Sequence, residues 1–321
     1  MGFYRQVGGY QGESALCVLQ SIPGMLLLML DHSHPQFSSW SRINQLSGRY
    51  LEDPVKEISA MQLVGDYHPN VLGGIEVLQD DNYLHTVMPY CSGGDLFGHV
   101  IDEKNHPPGD DKARAWFRKL RYGLMHFQLK GVCHRDLSLK NIMVDDEGKI
   151  LVIIDMGMAL RVPYTDPANM GCVNDVSEGT ERRLIVPQSQ GGKIMYMAPE
   201  VIASEGPFDG FAVDLWAAGV ILFVLLVGMA PFKWAHESDK RYAKIAKGEL
   251  KELLSGHHIT LSPDACDLLQ NMFWQDPSKR LSLVQVLRHP WVTGKSAATP
   301  HGVPKPTMVH AGPLCGAATV A

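Results

Sequence analysis

Three polar residues suited to metal-assisted proton transfer fall within one short stretch of the chain. Asp136, Asn141 and Asp155 lie in residues 134–157, which read HRDLSLKNIMVDDEGKILVIIDMG. The apolar runs IMV and KILVIID flank the turn DDEG and predict a β-hairpin, whose two ends must meet. We therefore expect Asn141 and Asp155 side by side, with Asp136 on the loop before them. Two oxygen ligands and a carboxylate suit Mg²⁺ beside a hydroxyl that loses a proton.

A single Asp in a turn is more often a helix cap or a solvated side chain, but here the motifs occur together. His-Arg-Asp, the Asn and Asp-Met-Gly stand in the register that resembles the eukaryotic protein kinase family. The resemblance implies that Asp136 is the catalytic base and that Asn141 and Asp155 are the metal ligands. It also implies ATP and Mg²⁺ as cofactors and a protein hydroxyl as substrate, and it makes Met156 the counterpart of the usual Phe.

Composition sets the broad class of the molecule. A length of 321 residues, 45% of them hydrophobic, fits two lobes or one large domain. The net charge of -5 and the lack of a long basic run give no reason to expect nucleic acid or an anionic membrane as partner. The 6 cysteines form no CxxC pair, so they predict reduced thiols in a cytoplasmic or nuclear protein.

The N-terminal region has two interpretations. Residues 14–30 carry no charge and could be the apolar part of a signal peptide or a short membrane anchor. The alternative, which we favour, is two strands around a Pro23-Gly24 turn, because the run is short for a membrane span and Pro-Gly breaks it.

The resemblance places a phosphate-covering glycine loop at residues 7–14, VGGYQGES. Gly9 and Gly12 are kept there, but Val7 stands at the first glycine position. The lysine that pairs with the α- and β-phosphates would fall near Met29, and no lysine occurs in residues 1–55. The small lobe therefore departs from the family pattern at two points that concern ATP.

Residues 53–65 predict the important helix of the small lobe, helix C in the family. Asp53-Pro54 is a typical helix start, and the apolar residues that follow recur on one face before Gly65 ends the helix. By resemblance, Glu57 would pair with the absent lysine. The alternative is an exposed carboxylate.

Two further groups of residues are predicted to meet the nucleotide. The resemblance places the hinge at residues 88–92, where backbone groups of Met88 and Tyr90 would contact adenine. Asp95, after the two glycines of CSGGD, would reach the ribose. A helix cap is the alternative role of Asp95.

Helical periodicity predicts the core of a large lobe. An apolar stripe runs through residues 113–127, and residues 215–232 carry no charge, which we interpret as a buried helix rather than a membrane span. In the family, Asp214 ties down the backbone of the catalytic loop, and Glu200 of the APE motif pairs with a residue that Arg280 resembles.

Some forty residues without strong periodicity separate Gly157 from Glu200, which is typical of a functional or mobile segment. They resemble a kinase activation segment. Its candidate phosphorylation sites are Thr165, Ser177, Thr180 and Ser189, and Arg135 would capture the phosphate. An ordinary loop role is the alternative for each hydroxyl.

Two residue types near Asp136 look exchanged. Most Ser/Thr kinases have a lysine two residues after the catalytic Asp and a threonine before the APE motif. This chain has Ser138 and Lys193 at those positions. We expect a hydroxyl and an ammonium still to flank Asp136, with Lys193 supplying the positive charge near the γ-phosphate. The alternatives are an exposed loop lysine, or Lys140 as the source of charge.

The fold class expected is α+β, a bilobal kinase fold. Residues 1–41 form an atypical N-terminal segment. Residues 42–292 form the kinase domain, with the small lobe to about 88 and the large lobe from 93. Residues 293–321 form a disordered tail rich in Ala, Gly, Pro and Thr.

The function expected is a Ser/Thr protein kinase of the calcium/calmodulin-dependent type, open to an upstream kinase or regulator. One alternative is a pseudokinase that keeps the fold as a scaffold without transfer. Another is that the first forty or so residues replace a normal small lobe through a faulty gene start.

Overall fold

A computed structural model gives the structure of the chain. It describes residues 3–6, 16–23, 54–65, 68–74, 76–79, 83–89, 91–102, 107–145, 151–162, 164–165, 181–182, 184–185 and 192–294. The described residues form a small lobe rich in strands and a larger lobe that is mainly helical. The bilobal α+β architecture predicted from the sequence is confirmed.

An antiparallel sheet forms the small lobe, in the order β1-β2-β4-β3. The strands are β1 (Phe3–Gln6), β2 (Leu16–Pro23), β3 (Glu76–Gln79) and β4 (Tyr83–Pro89). Strand β2 pairs along its length with β4, from Cys17 opposite Pro89 to Pro23 opposite Tyr83. The first of the two strands predicted in residues 14–30 is thus confirmed, whereas the second, with Met29, lies outside the described residues.

The single helix described in the small lobe, α1 (Pro54–Val64), follows the prediction for helix C. Ile58, Met61 and Val64 are buried, as expected from spacings of three. Gly65 ends the helix with a φ of 79°, a left-handed conformation that glycine adopts without strain.

Backbone hydrogen bonds tie the small lobe to the large one just after α1. Leu72 N donates to Ile153 O at 2.9 Å, and Ile153 N donates to Asn70 O at 3.0 Å. The Asn70 amide adds a bond to Leu151 O at 2.8 Å. Residues 70–72 therefore extend a hairpin of the large lobe.

The large lobe is built around two long helices, α3 (Asp110–Leu129) and α5 (Gly210–Val227). Around them lie α2 (Leu96–Asp102), α4 (Pro199–Ala203), α6 (Lys240–Ala246), α7 (Leu250–Gly256), α8 (Pro263–Met272), α9 (Leu283–Arg288) and α10 (Pro290–Thr293). The predicted stripe on α3 is confirmed, since its members are all buried: Ala113, Trp116, Phe117, Leu120, Leu124 and Phe127.

Helix α5 is the centre of the large lobe. By length and hydropathy it could cross a membrane, but 94% of it is buried inside the protein. An isolated apolar helix would have to cover that surface with lipid, whereas here neighbouring helices cover it. The prediction of a buried core helix is confirmed.

Short paired strands carry the segments that converge between the lobes. They are β5 (Val132–Cys133) with β8 (Leu160–Arg161), β6 (Ile142–Val144) with β7 (Leu151–Ile153), and β9 (Tyr164–Thr165) with β10 (Glu181–Arg182). Strand β5 leads into His134, and β6 and β7 flank the predicted turn. These strand pairs therefore fix the backbone within residues 134–157.

Candidate active site

The β6–β7 hairpin brings Asn141 and Asp155 together, as the sequence predicts. Its register pairs Ile142 with Ile153. Beyond the last pair, Ile154 N donates to Asn141 O at 3.0 Å, so the residues before β6 and after β7 remain adjacent. The side chains of Asn141 and Asp155, which both carry oxygen atoms able to bind a metal, therefore start from neighbouring positions of the backbone.

The carboxylate of Asp136 is buried and held by several donors. Its side chain is 8% exposed. Asn141 Nδ2 donates to Asp136 Oδ2 at 2.9 Å and to Asp136 O at 2.8 Å. These bonds fix the carboxylate relative to Asn141, so the predicted base lies beside one of the predicted metal ligands.

Asp214, at the start of α5, anchors the loop that carries Asp136. Its two carboxylate oxygens accept from His134 N at 2.7 Å and Arg135 N at 2.8 Å. Arg135 has a φ of 68°, a left-handed conformation that costs a non-glycine residue on the order of 1 kcal/mol. The buried bonds from Asp214 stabilise that turn, which agrees with the structural role expected for it.

The same burial changes the protonation of Asp214. Loss of hydration raises its pKa from 3.8 to about 6, although His134 and the two backbone donors act in the opposite direction. Desolvation therefore outweighs the hydrogen bonds at this carboxyl.

Lys193 lies directly against Asp136. Its Nζ is 2.9 Å from Asp136 Oδ2, and its backbone N donates to Asp136 Oδ1 at 3.2 Å. The same Nζ is 3.5 Å from Asn141 Oδ1. The spatial part of the exchange prediction is confirmed for lysine: an ammonium from the activation segment lies beside the predicted base.

Gly192 makes this approach possible. Its φ is 99°, and a Cβ there would lie 3.2 Å from both Arg135 O and Asp136 Oδ1. A larger residue would be strained in that conformation and would press on the carboxylate. The approach was not predicted, although the adjacent glycines at 191 and 192 were a signal for it in the sequence.

The serine part of the exchange prediction is not supported by a hydrogen bond in this structure. Ser138 is fully buried, and within the described part of the chain its Oγ has no hydrogen-bond partner. The hydroxyl therefore does not contact Asp136 by a hydrogen bond. Ser138 has an extended backbone before the 3₁₀ turn Leu139–Asn141, and its side chain does not cap that turn.

The alternative cation, Lys140, points elsewhere. It is exposed, and its Nζ lies 5.1 Å from the centroid of the Phe97 ring. A cation over an aromatic face is weakly stabilised there. In this arrangement Lys140 covers α2 rather than Asp136.

The donors at the hairpin fit a magnesium ion held mainly by substrate phosphates. Among the described residues no three His, Cys, Asp or Glu side chains cluster as a metal site. Mg²⁺ usually takes only one or two protein ligands and keeps water and phosphate for the rest, so Asn141 with Asp155 is a sufficient set. Asp155 has a φ of 66°, and Gly157 N donates to its Oδ1 at 3.4 Å.

The structure describes some of the residues that were predicted to contact the nucleotide and not others. Met88 is half-buried near the end of β4, and Glu57 is half-buried on α1. Asp95 Oδ1 accepts from Gly98 N at 2.7 Å, so this carboxylate caps α2, the alternative role considered for it. Gly9, Gly12 and Tyr90 lie outside the described residues.

The predicted phosphate site is only partly described. The Arg135 guanidinium donates to Met158 O at 3.4 Å and lies 5.8 Å from the Phe208 ring centroid. The Arg135 guanidinium therefore points toward Met158, at the start of the activation segment. Thr180, the candidate modification site, lies outside the described residues.

The predicted pair of Glu200 and Arg280 is confirmed. Two parallel bonds of 2.7 Å join Arg280 Nη1 and Nη2 to the two carboxylate oxygens of Glu200. Arg280 Nε also donates to Trp274 O at 2.7 Å. This fork fixes the end of the activation segment to the large lobe.

A close backbone contact behind the hinge was missed in the sequence. A Cβ on Gly93 would lie 2.2 Å from Asp145 O, and Val144 N donates to Gly94 O at 3.0 Å. The segment after the hinge thus packs directly on β6. The two adjacent glycines were the available signal for such an approach.

Comparisons with known proteins agree with this geometry. A family profile described as the protein kinase domain matches residues 41–292. CBL-interacting protein kinase 16 of Oryza sativa subsp. japonica is 34% identical over 252 residues, covering 78% of this chain and 48% of the relative. Calcium-dependent protein kinase 21 of Arabidopsis thaliana is 31% identical over 254 residues, covering 78% and 43%.

A third relative is the calcium/calmodulin-dependent protein kinase type II alpha chain of Drosophila melanogaster, 29% identical over 228 residues, with 70% of this chain and 38% of the relative covered. The chain therefore spans less than half the length of each of these three relatives. The matched region contains the catalytic loop, the hairpin and the APE helix described above. The chain belongs to the protein kinase family, within the serine/threonine type that includes the calcium/calmodulin-dependent kinases.

Proposed function

We propose that this chain transfers the γ-phosphate of ATP to serine or threonine hydroxyls of proteins. The observation that carries the proposal is the convergence of Asp136, Asn141 and Asp155 at one end of the β6–β7 hairpin. A family with this site uses ATP and Mg²⁺, and the Ser/Thr kinases to which the chain is similar support a hydroxyl acceptor.

In this proposal Asp136 orients the acceptor hydroxyl and takes its proton as the hydroxyl oxygen bonds to the γ-phosphorus. The bond from that phosphorus to the bridging oxygen breaks, and ADP leaves. Asn141 holds the carboxylate of Asp136 by a bond of 2.9 Å, so the base keeps its direction. When bound by Asn141 and Asp155, Mg²⁺ would neutralise charge on the phosphates.

The remaining roles in nucleotide binding follow from the resemblance and remain proposals. Met88 and Tyr90 would offer backbone groups to adenine, Gly9 and Gly12 would cover the phosphates, and Glu57 would orient helix C. Asp95 would reach the ribose with the oxygen that does not cap α2.

Regulation is also proposed by resemblance. Arg135 would bind a phosphate on the activation segment, with Thr180 as the acceptor, added by an upstream kinase or by the chain itself.

Transfer of labelled γ-phosphate from Mg·ATP to a generic Ser/Thr protein substrate tests the proposal. Asp136→Asn is the blank, because it keeps the shape of the side chain and removes the base. We expect incorporation well above this blank, on serine or threonine. A folded protein that binds ATP and transfers no more than the blank would instead be a pseudokinase.

A further inference from the structure

The phosphates of ATP need a cation from the catalytic loop side, and the loop itself supplies none near Asp136. Charge in the transition state spreads over the oxygens of the transferred group, so a fixed positive charge there accelerates transfer. Between Asp136 and Asn141 the chain has one cationic residue, Lys140, and its Nζ lies over the Phe97 ring. Arg135 faces Met158 and Phe208.

Lys193 has the position that the loop residues lack. Its ammonium lies 2.9 Å from Asp136 Oδ2 and 3.5 Å from Asn141 Oδ1, between the predicted base and a predicted metal ligand. Its side chain is 39% exposed while that of Asp136 is 8% exposed. The ammonium therefore borders both the buried carboxylate and the space open to substrates.

The backbone of Lys193 is held independently of its side chain. The bond from Lys193 N to Asp136 Oδ1 is 3.2 Å, and Lys193 O accepts from Tyr196 N at 2.8 Å. Tyr196 is buried in the 3₁₀ turn Ile194–Tyr196. Substitution of the Lys193 side chain alone should therefore leave these backbone contacts in place.

Resting on the phosphoryl transfer proposed above, we propose that Lys193 contacts the γ-phosphate and is a catalytic residue of this chain. Its charge comes from the activation segment, 57 residues after Asp136, rather than from the catalytic loop. The rate of the chemical step then depends on whether the activation segment is in place. Displacing the segment would move the Lys193 ammonium away from the γ-phosphate.

Kinetics of matched lysine variants test the role. Lys193→Met should lower kcat roughly 10²- to 10³-fold with little change in KM for ATP, because the lost contact forms mainly in the transition state. Lys193→Arg keeps the charge and should lose less. Lys140→Met and the exposed Lys240→Met should behave like the wild type. The inference would be overturned if Lys140→Met lowered kcat while Lys193→Met kept the kcat of the wild type.

A second readout does not depend on transfer to protein. An ATP derivative acylated on the γ-phosphate reacts with a lysine that touches that phosphate. The amine attacks the acyl carbonyl, an amide bond forms, the acyl–oxygen bond breaks, ATP leaves and the amine proton passes to solvent. We expect acylation of Lys193, found by peptide mass spectrometry and suppressed by excess Mg·ATP, whereas Lys240 should react without suppression.

The two readouts separate this inference from the proposed function. Suppressible labelling of Lys193 in a protein that transfers no phosphate would support the position of Lys193 and reject the transferase proposal. Transfer that survives in Lys193→Met, with no suppressible label on Lys193, would reject the inference and keep the transferase. Absence of both label and transfer would reject both.

Discussion

At the scale of single residues, the site is defined by carboxylates in very different surroundings. Asp136 is buried but surrounded by donors from Asn141 and Lys193. Asp214 is buried behind the loop, where desolvation raises its pKa to about 6 in spite of two backbone donors. One carboxylate is thus held by an amide and an ammonium at the candidate site, while the other anchors backbone at a cost in stability that depends on pH.

The raised pKa of Asp214 predicts how stability changes with pH. Because the folded protein binds this proton more tightly than the unfolded chain, the favourable contribution is present below about pH 4. It is lost as pH rises through about 6, by on the order of 3 kcal/mol for two units of pKa. Asp214→Asn cannot ionise and lacks this dependence.

Urea unfolding of the wild type and of Asp214→Asn between pH 4 and 8 measures this pH dependence of the unfolding free energy. The difference in unfolding free energy, wild type minus variant, should fall from pH 4 to 6 and be constant above 7. The lost hydrogen bond of the variant adds only a constant offset. A difference that rises with pH would contradict the assignment.

At the scale of elements, a buried ion pair helps to hold the short helix α4. Arg280 is 1% exposed and Glu200 17% exposed. Their fork joins α4 to the turn after α8, across a distance in sequence of 80 residues. An isolated five-residue helix has little intrinsic stability, so its position depends on such contacts.

Removing one partner should be more costly than removing both. Glu200→Ala leaves a buried guanidinium without its carboxylate and should lower the unfolding free energy by about 3–5 kcal/mol. Arg280→Met in the same background should cost much less than it does alone. Thermal or urea unfolding of the two single variants and the double variant measures the coupling.

An exposed ion pair provides the control. Asp111 Oδ1 is 2.8 Å from Arg114 Nη1, but Asp111 is 99% exposed. Asp111→Ala should change the unfolding free energy by less than about 1 kcal/mol. Equal effects of Asp111→Ala and Glu200→Ala would show that the buried pair has no special weight.

Elements with strong periodicity were predictable from local spacing, whereas contacts distant in sequence, such as Lys193 with Asp136 and Glu200 with Arg280, were predictable only through the family resemblance. The α3 stripe and the β6–β7 hairpin follow from local spacing, because burial and turn chemistry act over a few residues. Ser138 illustrates the limit of motif position. Its place two residues after Asp136 suggested a hydroxyl beside that carboxylate, whereas Ser138 is buried and its Oγ has no hydrogen-bond partner among the described residues.

At the scale of the whole molecule, the two lobes join through backbone contacts rather than side chains alone. Residues 70–72 extend the β6–β7 hairpin, and Gly93 and Gly94 pack on the end of β6. The segment that follows the predicted hinge is thus in direct contact with the hairpin that lies between Asn141 and Asp155. Small displacements at this junction would reach the site directly.

Gly93→Ala should lower the unfolding free energy by disturbing this junction. The added Cβ would lie 2.2 Å from Asp145 O, so the backbone must shift, and overpacking of this kind costs typically about 1–3 kcal/mol. Gly206→Ala is the matched control, because a Cβ there meets nothing within 4 Å. Its effect should be within about 0.5 kcal/mol. Similar unfolding free energies for both variants would argue against a tight junction.

The activation segment is fastened to the large lobe after residue 182 at separate places. Ile185 pairs with Phe208 in a β-bridge, and Lys193 N is bonded to Asp136 Oδ1. Upstream, Thr165 pairs with Glu181. Within the described residues, the end of the segment that carries Lys193 is therefore fixed to the large lobe on both sides of residues 186–191. Loosening the bridge at Phe208 should also loosen Lys193 from Asp136.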